Sequence, residues 1–441
     1  MKSRRRAVYV NCDGLGRDWL TKDLTPELHD IAAGSLWCAT HHAVFPSVTR
    51  VSAASIATGC YACRHGLHGN RMGLVEAGRI VVRDVGKPDF REHLRQATGR
   101  TLLVPTLAER VAAAGGFIGF SNVSPGAAYF LDPDHFGHIY HRAGSFAPGG
   151  AAIEGDDALN VTHDLAGDRA MTERFCGDIL RDRRPAVAVL WLANPDLTLH
   201  SAPLGSPAHR EALRETERNV GQVFETVAQL REDGDDILLL VGSDHGQETI
   251  GDCVEIEAWL ATQGLGALLE AGHVAVAGQG TAALLYATPT GREALLDVLD
   301  AMRREPWAGE IFTDRRLDAL GHAATDGVVA AVDMGRHDGV NAFGVAGWRW
   351  TVAEPDKEAA IGSGQHGGLG PDETRPFLLL NGGGVTPGRH AAPSSLVDVA
   401  PTILSFLGLP CAGFDGAPLV DFALATFASR HPPRRAAHSS L

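Results

Sequence analysis

The chain has 441 residues, 44% of them apolar and 21% charged, a composition typical of a globular protein of about two or three domains. Its formal net charge of −14 argues against a basic surface of the kind that coats nucleic acid, although a small anionic substrate would meet only the local charge of a site. No run of apolar residues approaches the roughly 20 that a membrane-spanning helix needs, so we expect no membrane partner.

Seven cysteines are spread from Cys12 to Cys411. An odd number of widely spaced cysteines favours reduced thiols over a disulfide framework. The basic start of the chain is followed by only a short apolar run, Ala7–Val10, whereas a secretion signal needs roughly 7–15 apolar residues. We therefore expect a cytoplasmic protein, and the sequence leaves its oligomeric state open, with a homodimer as one alternative.

Short apolar runs alternate with amphipathic segments along most of the chain. Strands are predicted at Ala7–Val10, Phe117–Phe120, Ala186–Leu192, Ile237–Val241 and Phe377–Leu380, and helices at Leu107–Ala114, Pro207–Glu232 and Ser394–Leu407. This alternation predicts an α/β fold with a mostly parallel central sheet sandwiched by helices. Ligands of such sheets gather beyond the carboxyl ends of the strands, and three of these strands end in an aspartate.

The pattern of predicted strands and helices changes between His245 and His366. A strand is predicted at Thr281–Tyr286, a helix at Thr290–Arg303 and a strand at Val328–Asp333. The Gly/Ala-rich stretch Gly144–Gly155 is predicted to be a surface loop. The chain accordingly divides into a metal-binding catalytic core (1–248 and 362–428), a small α+β cap insert (249–361) and a tail predicted to be disordered (429–441).

Six side chains of types that bind metal ions follow predicted strands or lie between glycines. They are Asp13, Asp196, His200, Asp244, His245 and His366. Asp196 and His200 are four residues apart, so one helical turn would place both on the same face. Each motif alone also has a structural explanation, such as a turn, a helix N-cap or a flexible loop, so only their combination predicts a site.

This combination supplies three carboxylates and three imidazoles without a thiolate. Such nitrogen and oxygen ligands suit catalytic zinc or a similar divalent ion, for example Mn²⁺. Six ligands are too many for one open tetrahedral zinc but suit two metal ions that share a site. We therefore predict two Zn²⁺ ions at the carboxyl edge of the sheet.

The order of these motifs resembles the type I phosphodiesterase/nucleotide pyrophosphatase branch of the alkaline phosphatase superfamily, which also includes phosphonoacetate hydrolases. In that branch a threonine precedes a helix that ends in Thr-Gly, and here Thr49 begins a segment that runs to Thr58-Gly59. The stretch from His65 to Asn70 resembles the motif that follows in the family. The resemblance covers nearly the whole chain, and it implies an alkaline-phosphatase-like fold.

The resemblance also implies a mechanism. One zinc would be held by Asp196, His200 and His366, and the other by Asp13, Asp244, His245 and the hydroxyl oxygen of Thr49. Thr49 would attack phosphorus and form a phosphothreonine, which water activated by the second zinc would hydrolyse. At the start of a helix, Thr49 would also bring backbone N–H groups close to the phosphate oxygens.

Three residues are candidates for binding the phosphate. The family has an asparagine three residues after the nucleophile, but that place is taken by Ser52 in this chain. Arg50, directly after the nucleophile, and Asn70 are further candidate donors, although each has a structural alternative as a packing or solvated side chain.

The segment after the strand Phe117–Phe120 bears on the substrate. Phosphonoacetate hydrolases carry lysines there, whereas Ser121–Gly126 contains none, which argues against a carboxylated phosphonate. Tyr129, His135 and His138 lie just beyond and would either line a substrate pocket or be structural.

A compact zinc knuckle at Cys60, Cys63, His65 and His68 is the main competing motif. The two histidines follow the cysteines too closely for the usual intervening loop. The same stretch fails as a sulfatase signature because Ala62 stands where that signature has proline.

We expect an enzyme that hydrolyses a small organic phosphoester, with a phosphodiester favoured by the branch. The alternatives are a phosphomonoesterase or a phosphonate (C–P bond) hydrolase with the same metals, then a sulfatase, and finally a non-catalytic binding protein on the same scaffold.

Overall fold

The computed structural model describes residues 5–354 and 359–422, so the tail predicted to be disordered lies outside the described residues. Within these ranges the chain forms 22 short or long strands. They are β1 (Arg5–Cys12), β2 (Leu36–Cys38), β3 (His41–His42), β4 (Arg71–Glu76), β5 (Arg79–Asp84), β6 (Phe117–Ser121), β7 (His138–His141), β8 (Ser145–Phe146), β9 (Ala152–Ile153), β10 (Val187–Leu192), β11 (Asp236–Gly242), β12 (Glu248–Val254), β13 (Val274–Gly278), β14 (Ala282–Ala287), β15 (Ala308–Thr313), β16 (Val328–Met334), β17 (Arg336–Val340), β18 (Ala346–Val352), β19 (Gly364–Gln365), β20 (Leu378–Gly382), β21 (Gly388–His390) and β22 (Ser394–Ser395).

Helices connect most of these strands. The α-helices are α1 (Pro26–Ala33), α2 (Thr49–Thr58), α3 (Ala62–His65), α4 (Phe90–Thr98), α5 (Leu107–Val111), α6 (Pro125–Phe130), α7 (Leu165–Arg174), α8 (Asp196–Leu199), α9 (Pro207–Glu232), α10 (Ile256–Leu260), α11 (Gly266–Glu270), α12 (Pro289–Met302), α13 (Arg315–Asp318) and α14 (Val399–Leu407). Single 3₁₀ turns lie at Arg17–Trp19, Ala112–Ala114, Pro148–Gly150, Gly155–Asp157 and Leu396–Asp398, and π-helical turns at Phe175–Arg183 and Ala261–Leu265.

The largest sheet has ten strands in the order β21-β2-β20-β11-β1-β10-β6-β7-β8-β9. Its centre, from β11 to β7, is parallel. Strands β20, β8 and β9 run antiparallel to their neighbours. The predicted α/β fold with a mostly parallel central sheet is therefore confirmed.

Successive side chains of β1 enter two different cores, one on each face of the sheet. Ala7 and Tyr9 pack in the core that contains the apolar residues of α2 and α14. Val8 and Val10 pack in the core formed with α9. Because helices cover both faces, every position of such a strand is apolar, which explains why the strand reads as a continuous apolar run.

Helix α9 has the bounds that the sequence predicts, Pro207–Glu232. The hydroxyl of Ser206 accepts a hydrogen bond from the backbone N–H of His209, and Pro207 occupies the first helical position, so both start signals are used. In the part of the chain that the structure describes, no helix combines the length and apolar character needed to span a membrane.

Two four-stranded sheets account for most of the stretch between His245 and His366, in the orders β13-β14-β16-β15 and β17-β18-β12-β19. Apolar residues of this stretch form a core of their own. The predicted strand, helix and strand correspond to β14, α12 and β16, with ends that agree to within one residue. Strand β19 pairs with β12 and leads directly to His366. The exact domain boundaries stay a prediction.

Two local predictions differ from the structure. The helix predicted at Ser394–Leu407 begins only at Val399, because Ser394 pairs with His41 and Ser395 forms a capping box with Asp398. The stretch Gly144–Gly155, predicted as a loop, contains β8 and β9, which extend the edge of the central sheet.

Candidate active site

The three predicted aspartates lie together at one edge of the central sheet. Strands β11, β1 and β10 are adjacent and parallel, so their carboxyl ends meet there. Asp13 follows β1, Asp244 follows β11, and Asp196 is the first residue of α8 after β10. This arrangement is a direct consequence of the parallel strand order.

Asp13, Asp244 and His245 form the first candidate metal group, with ligand atoms within 4.8 Å of one another. Nε2 of His245 lies 3.4 Å from Oδ1 of Asp13 and 3.2 Å from Oδ2 of Asp244. Both carboxylate oxygens are buried, and neither has a hydrogen-bond partner within the described residues.

Asp196, His245 and His366 form the second candidate group, with the same limit on the separation of their ligand atoms. Nε2 of His366 lies 3.4 Å from Oδ1 of Asp196. His200, one turn after Asp196 as the spacing predicts, places its Nε2 3.3 Å from Oδ2 of Asp196. The predicted ligands are thus brought together, and His245 stands between the two groups.

Hydrogen bonds to the backbone orient both central imidazoles. Nδ1 of His245 lies 3.0 Å from the carbonyl oxygen of Gly246, and Nδ1 of His366 lies 2.8 Å from that of Ser47. A carbonyl can only accept, so Nδ1 carries the proton and Nε2 of each neutral ring presents a lone pair. Gly367 has a φ of +131°, and a Cβ there would lie 1.6 Å from the carbonyl oxygen of Gln279, so the chain after His366 requires glycine.

The electrostatics of the first group favour a cation. Burial, and then the negative charges of Asp244 and Asp196, raise the pKa of Asp13 well above its usual value. Burial likewise raises the pKa of Asp244. Two unpartnered carboxylate oxygens and an imidazole lone pair converge on one point without a donor among them. This nitrogen and oxygen set fits a divalent metal ion such as zinc.

Neighbouring side chains hold the carboxylates in place. Nε1 of Trp191 donates to Oδ2 of Asp13 at 2.9 Å, which leaves Oδ1 directed at His245. Nε2 of Gln247 donates to Oδ1 of Asp196. Such outer partners fix the orientation of metal ligands.

Thr49 begins α2 beside the first metal group. Its Oγ1 lies 3.3 Å from Nε2 of His245, and the residue is 8% exposed, on the wall of a cavity of about 530 Å³. Helix α2 ends at Thr58, and Gly59 follows with a φ of +65°, where a Cβ would lie 2.5 Å from the ring of Phe414. The backbone conformation and the packing therefore require glycine at position 59.

The three predicted phosphate-binding residues have different positions. Arg50 and Asn70 line the cavity, and the backbone N–H of Arg50 donates to Oδ1 of Asn70 at 3.3 Å. The guanidinium of Arg50 is paired with Asp84 at 3.0 Å. Ser52 is fully buried and does not line the cavity, because three residues after Thr49 the helix faces the core. A substrate contact by Ser52 is thus not supported.

The residues of the competing motif do not converge on a site. His65 places Nε2 3.0 Å from the hydroxyl of Ser55, and Cys63 is exposed whereas Cys60 is buried. In the described ranges, only the two groups above bring metal-ligand atoms together, so a zinc knuckle is not formed. Tyr129, His135 and His138 likewise do not line the cavity, and Tyr129 OH donates to the carbonyl of Gly144 at 3.2 Å.

The structure also places three residues at or near the site that no sequence motif indicated. Arg142 lines the cavity, reached from the end of β7. Asp168 is fully buried on α7 and accepts hydrogen bonds from the backbone N–H groups of Ala193 and Asn194, just before Asp196. Gln247, which donates to Asp196, is the third. No sequence motif marks these three residues, because their roles depend on contacts between distant parts of the chain.

The fold is similar to that of solved structures. The chain matches murine ectonucleotide pyrophosphatase/phosphodiesterase 5, an inactive variant in complex with AMP, with a TM-score of 0.67 and 17% identity over 94% of this chain and 98% of that one. A second structure of the same murine protein matches with a TM-score of 0.66 and 16% identity over 93% and 97% of the two chains. No curated protein matches the chain by sequence.

The sheet, its helices and the ligand groups at its carboxyl edge identify a metal-dependent phosphoester hydrolase of the alkaline phosphatase superfamily. The family is more specific: the sequence model of the type I phosphodiesterase / nucleotide pyrophosphatase family matches residues 7–368. The chain belongs to this family.

Proposed function

We propose that this protein is a two-zinc phosphodiesterase in which Thr49 is the nucleophile and a phosphothreonine is the intermediate. The observation that carries this proposal is the position of Thr49, whose hydroxyl opens on the cavity and lies 3.3 Å from His245, a member of both candidate metal groups. A nucleophilic hydroxyl needs a nearby group that stabilises its deprotonated form, and this position provides one.

The residues fit two cations. Asp13, Asp244 and His245 would hold one, with the oxygen of Thr49, and Asp196, His200 and His366 would hold the other. When bound, these ions supply positive charge that lowers the cost of deprotonating Thr49 and of building charge on the phosphoryl oxygens.

The hydroxyl oxygen of Thr49 attacks phosphorus and forms the phosphothreonine ester, while the bond from phosphorus to one alcohol of the diester breaks and that alcohol leaves with the proton that the hydroxyl loses. The intermediate keeps the second organic group, and a water molecule then hydrolyses its bond to Thr49, which restores the hydroxyl and releases a phosphomonoester. At the first position of α2, Thr49 places the free backbone N–H groups of the helix close to the phosphoryl oxygens. Asn70 and Arg50, on the same cavity wall, are proposed to bind those oxygens.

A small phosphorylated substrate is consistent with the AMP complex of the murine relative. The same ligand groups would also serve a phosphomonoesterase or a phosphonate hydrolase, which remain the alternatives. All seven cysteines lie in the described ranges and none forms a disulfide, which supports a cytoplasmic site of action as part of the proposal.

Turnover on a matched panel tests the proposal. Zinc-loaded protein should hydrolyse bis(4-nitrophenyl) phosphate faster than 4-nitrophenyl phosphate, and should leave 4-nitrophenyl sulfate and phosphonoacetate intact. A preference for the monoester would replace the diesterase by a phosphomonoesterase, and release of phosphate from phosphonoacetate would establish the C–P hydrolase. If the protein at full zinc occupancy hydrolysed none of the phosphorus compounds, the proposed function would be refuted.

A further inference from the structure

The cavity beside Thr49 has an unusual lining. It holds about 530 Å³ and is bounded by the metal ligands Asp13, Asp196, His200 and His366 on one side. Charged and polar side chains make up most of the remaining wall, and none of the described residues that line it is Phe, Tyr or Trp. Small-molecule sites are mostly apolar and aromatic, so this cavity is built for a different kind of ligand.

Arg142 is a cation of this wall whose guanidinium is anchored by hydrogen bonds, although it forms no ion pair with the described residues. Its Nη1 donates to the backbone carbonyls of Val123 at 2.8 Å and Asn122 at 3.2 Å. Its Nε and Nη2 make no hydrogen bond, and the guanidinium forms no salt bridge, with any residue that the structure describes. One edge of the guanidinium is therefore anchored, while its remaining donors are available to a ligand.

The contrast with Arg50 is informative. Arg50 lines the same cavity, but its guanidinium is neutralised by Asp84 and bonded to Ser124. Arg142 is half-buried, and burial lowers its pKa, which shows that its charge is partly desolvated. The charge of the buried Asp168 acts on Arg142, but no carboxylate of the described residues is within ion-pair distance of it, so a bound anion would complete its hydrogen bonds.

Arg142 lines the same cavity as Thr49 and four of the proposed metal ligands. Burial, and then the positive charge of Arg142, lower the pKa of His163 on this wall, while the negative charge of Asp196 opposes the shift, so both groups are within electrostatic range of one imidazole. One small substrate could therefore present its phosphoryl group to Thr49 and a second anionic group to Arg142.

The absence of Phe, Tyr and Trp from the described wall bears on the rest of the substrate. Proteins hold flipped or unpaired nucleobases mainly by stacking them on aromatic rings. The only aromatic rings among the described lining residues are imidazoles, two of which belong to the proposed metal ligands His200 and His366, whereas Arg142 offers an oxyanion a guanidinium.

We propose that Arg142 binds a second oxyanion, a carboxylate or a phosphate, on the organic part of the substrate, so that the enzyme selects small doubly anionic phosphoesters over nucleotides. This inference rests on the proposed function. The lysine-free segment Ser121–Gly126 still argues against a carboxylated phosphonate, but Arg142, which donates to the backbone of that segment, would supply the cation for a carboxylated phosphoester.

Four 4-nitrophenyl phosphodiesters with one leaving group test the selectivity: the ethyl, carboxymethyl, 2-phosphoethyl and thymidine 5′ esters. In wild type, the kcat/KM value for the carboxymethyl or the phosphoethyl ester should be about tenfold higher than the value for the ethyl ester. A difference of this size corresponds to one charge-assisted hydrogen-bonded pair. The larger of these two values identifies the oxyanion. The thymidine ester should not exceed the ethyl ester.

Arg142→Gln should reduce the ratio of the kcat/KM value for the preferred ester to that for the ethyl ester to about one. Arg142→Lys should keep part of this ratio, because lysine retains the positive charge but lacks the planar guanidinium with its paired donors. Lys87→Gln is the matched control, since Lys87 is an exposed cation on the same cavity, and it should leave the ratio close to wild type. A thymidine ester that is tenfold better than all others, or a ratio that Arg142→Gln does not change, would overturn the inference.

Binding separates this inference from the proposed function. Calorimetry on zinc-loaded protein should give phosphoglycolate a Kd about tenfold lower than that of ethyl phosphate, and Arg142→Gln should remove this difference. If wild type hydrolyses none of the esters, the proposed function fails, and the two Kd values still decide whether Arg142 binds an oxyanion. Equal Kd values in wild type would overturn it.

Discussion

The imidazole rings of His245 and His366 stack with their centroids 3.6 Å apart and their planes at 13°. His245 follows β11 in the central sheet, whereas His366 follows β19, which pairs with a strand beyond that sheet. Burial, and then the charge of His245, hold the pKa of His366 well below its usual value, so the ring of His366 is available as a neutral ligand. The contact joins the two metal groups and two parts of the chain in one place.

Metal content is the first consequence. We expect about two zinc ions per chain, because the two candidate groups bring five nitrogen and oxygen side chains together at one sheet edge and His200 adds a sixth beside Asp196. Asp244→Asn should lower occupancy to about one ion, since the neutral amide is a much weaker ligand. Elemental analysis after zinc loading and gel filtration measures both, and a chelator should abolish turnover until zinc is restored. A zinc-loaded wild type without bound transition metal would contradict the assignment.

Asp168 provides a test of the support behind Asp196. It is fully buried and accepts four hydrogen bonds, from the backbone N–H groups of Ala193 and Asn194 and the side-chain amides of Asn194 and Asn122. Asp168→Asn directs an amide N–H₂ at these donors, so the free energy of unfolding should fall by about 1–3 kcal/mol.

The turn before Asp196 should loosen in the same variant, so zinc occupancy should fall as well. Urea denaturation and elemental analysis measure the two effects. Asp178→Asn is the control: its exposed carboxylate is paired with Arg174 at 2.7 Å, and its loss should change stability by less than about 1 kcal/mol. Equal effects of the two substitutions would show that Asp168 does not support the site.

The sequence predicts the metal ligands well because their signal is local. A buried strand and the aspartate that ends it are adjacent in the chain, and parallel strands bring such ends together without further information. Arg142 and Asp168 could not be predicted this way, since their hydrogen-bond partners lie about 20 to 50 residues away in the sequence. The buried position of Ser52 could not be predicted either, because the inner face of α2 depends on what packs against it. The apolar run of β20 predicted a strand but not its antiparallel direction.

Glu248 makes stability depend on pH. Burial, and then the charge of Glu373, raise its pKa to about 7, although Arg349 opposes the shift. A pKa raised in the folded state means that the protonated form is favoured by folding. The stabilisation is therefore complete below the unfolded value of about 4.5 and is lost as pH rises through about 7.

Glu248→Gln should remove this dependence, because glutamine resembles the protonated acid at every pH. Relative to the variant, wild type should lose on the order of 2–3 kcal/mol of unfolding free energy between pH 5 and pH 8. Urea denaturation at both pH values measures the difference, and Glu225→Gln, at an exposed position of α9, serves as the control. A constant difference between wild type and Glu248→Gln would show that Glu248 does not titrate in this range.

Thr49 decides the mechanism. Thr49→Ala should lower kcat by roughly 10⁴–10⁶, by analogy with the loss of a serine nucleophile, because the covalent step has no other hydroxyl at this position. Zinc content and unfolding free energy should stay close to wild type, since the buried carboxylates and imidazoles hold the metal ions. Thr49→Ser keeps the oxygen and should retain measurable activity.

Acid quenching during turnover, followed by mass spectrometry of the peptide that contains residue 49, should detect the phosphothreonine in wild type only. If Thr49→Ala turned over the best substrate within about tenfold of wild type, water would be the direct nucleophile, and the two-zinc site would stand without the covalent intermediate.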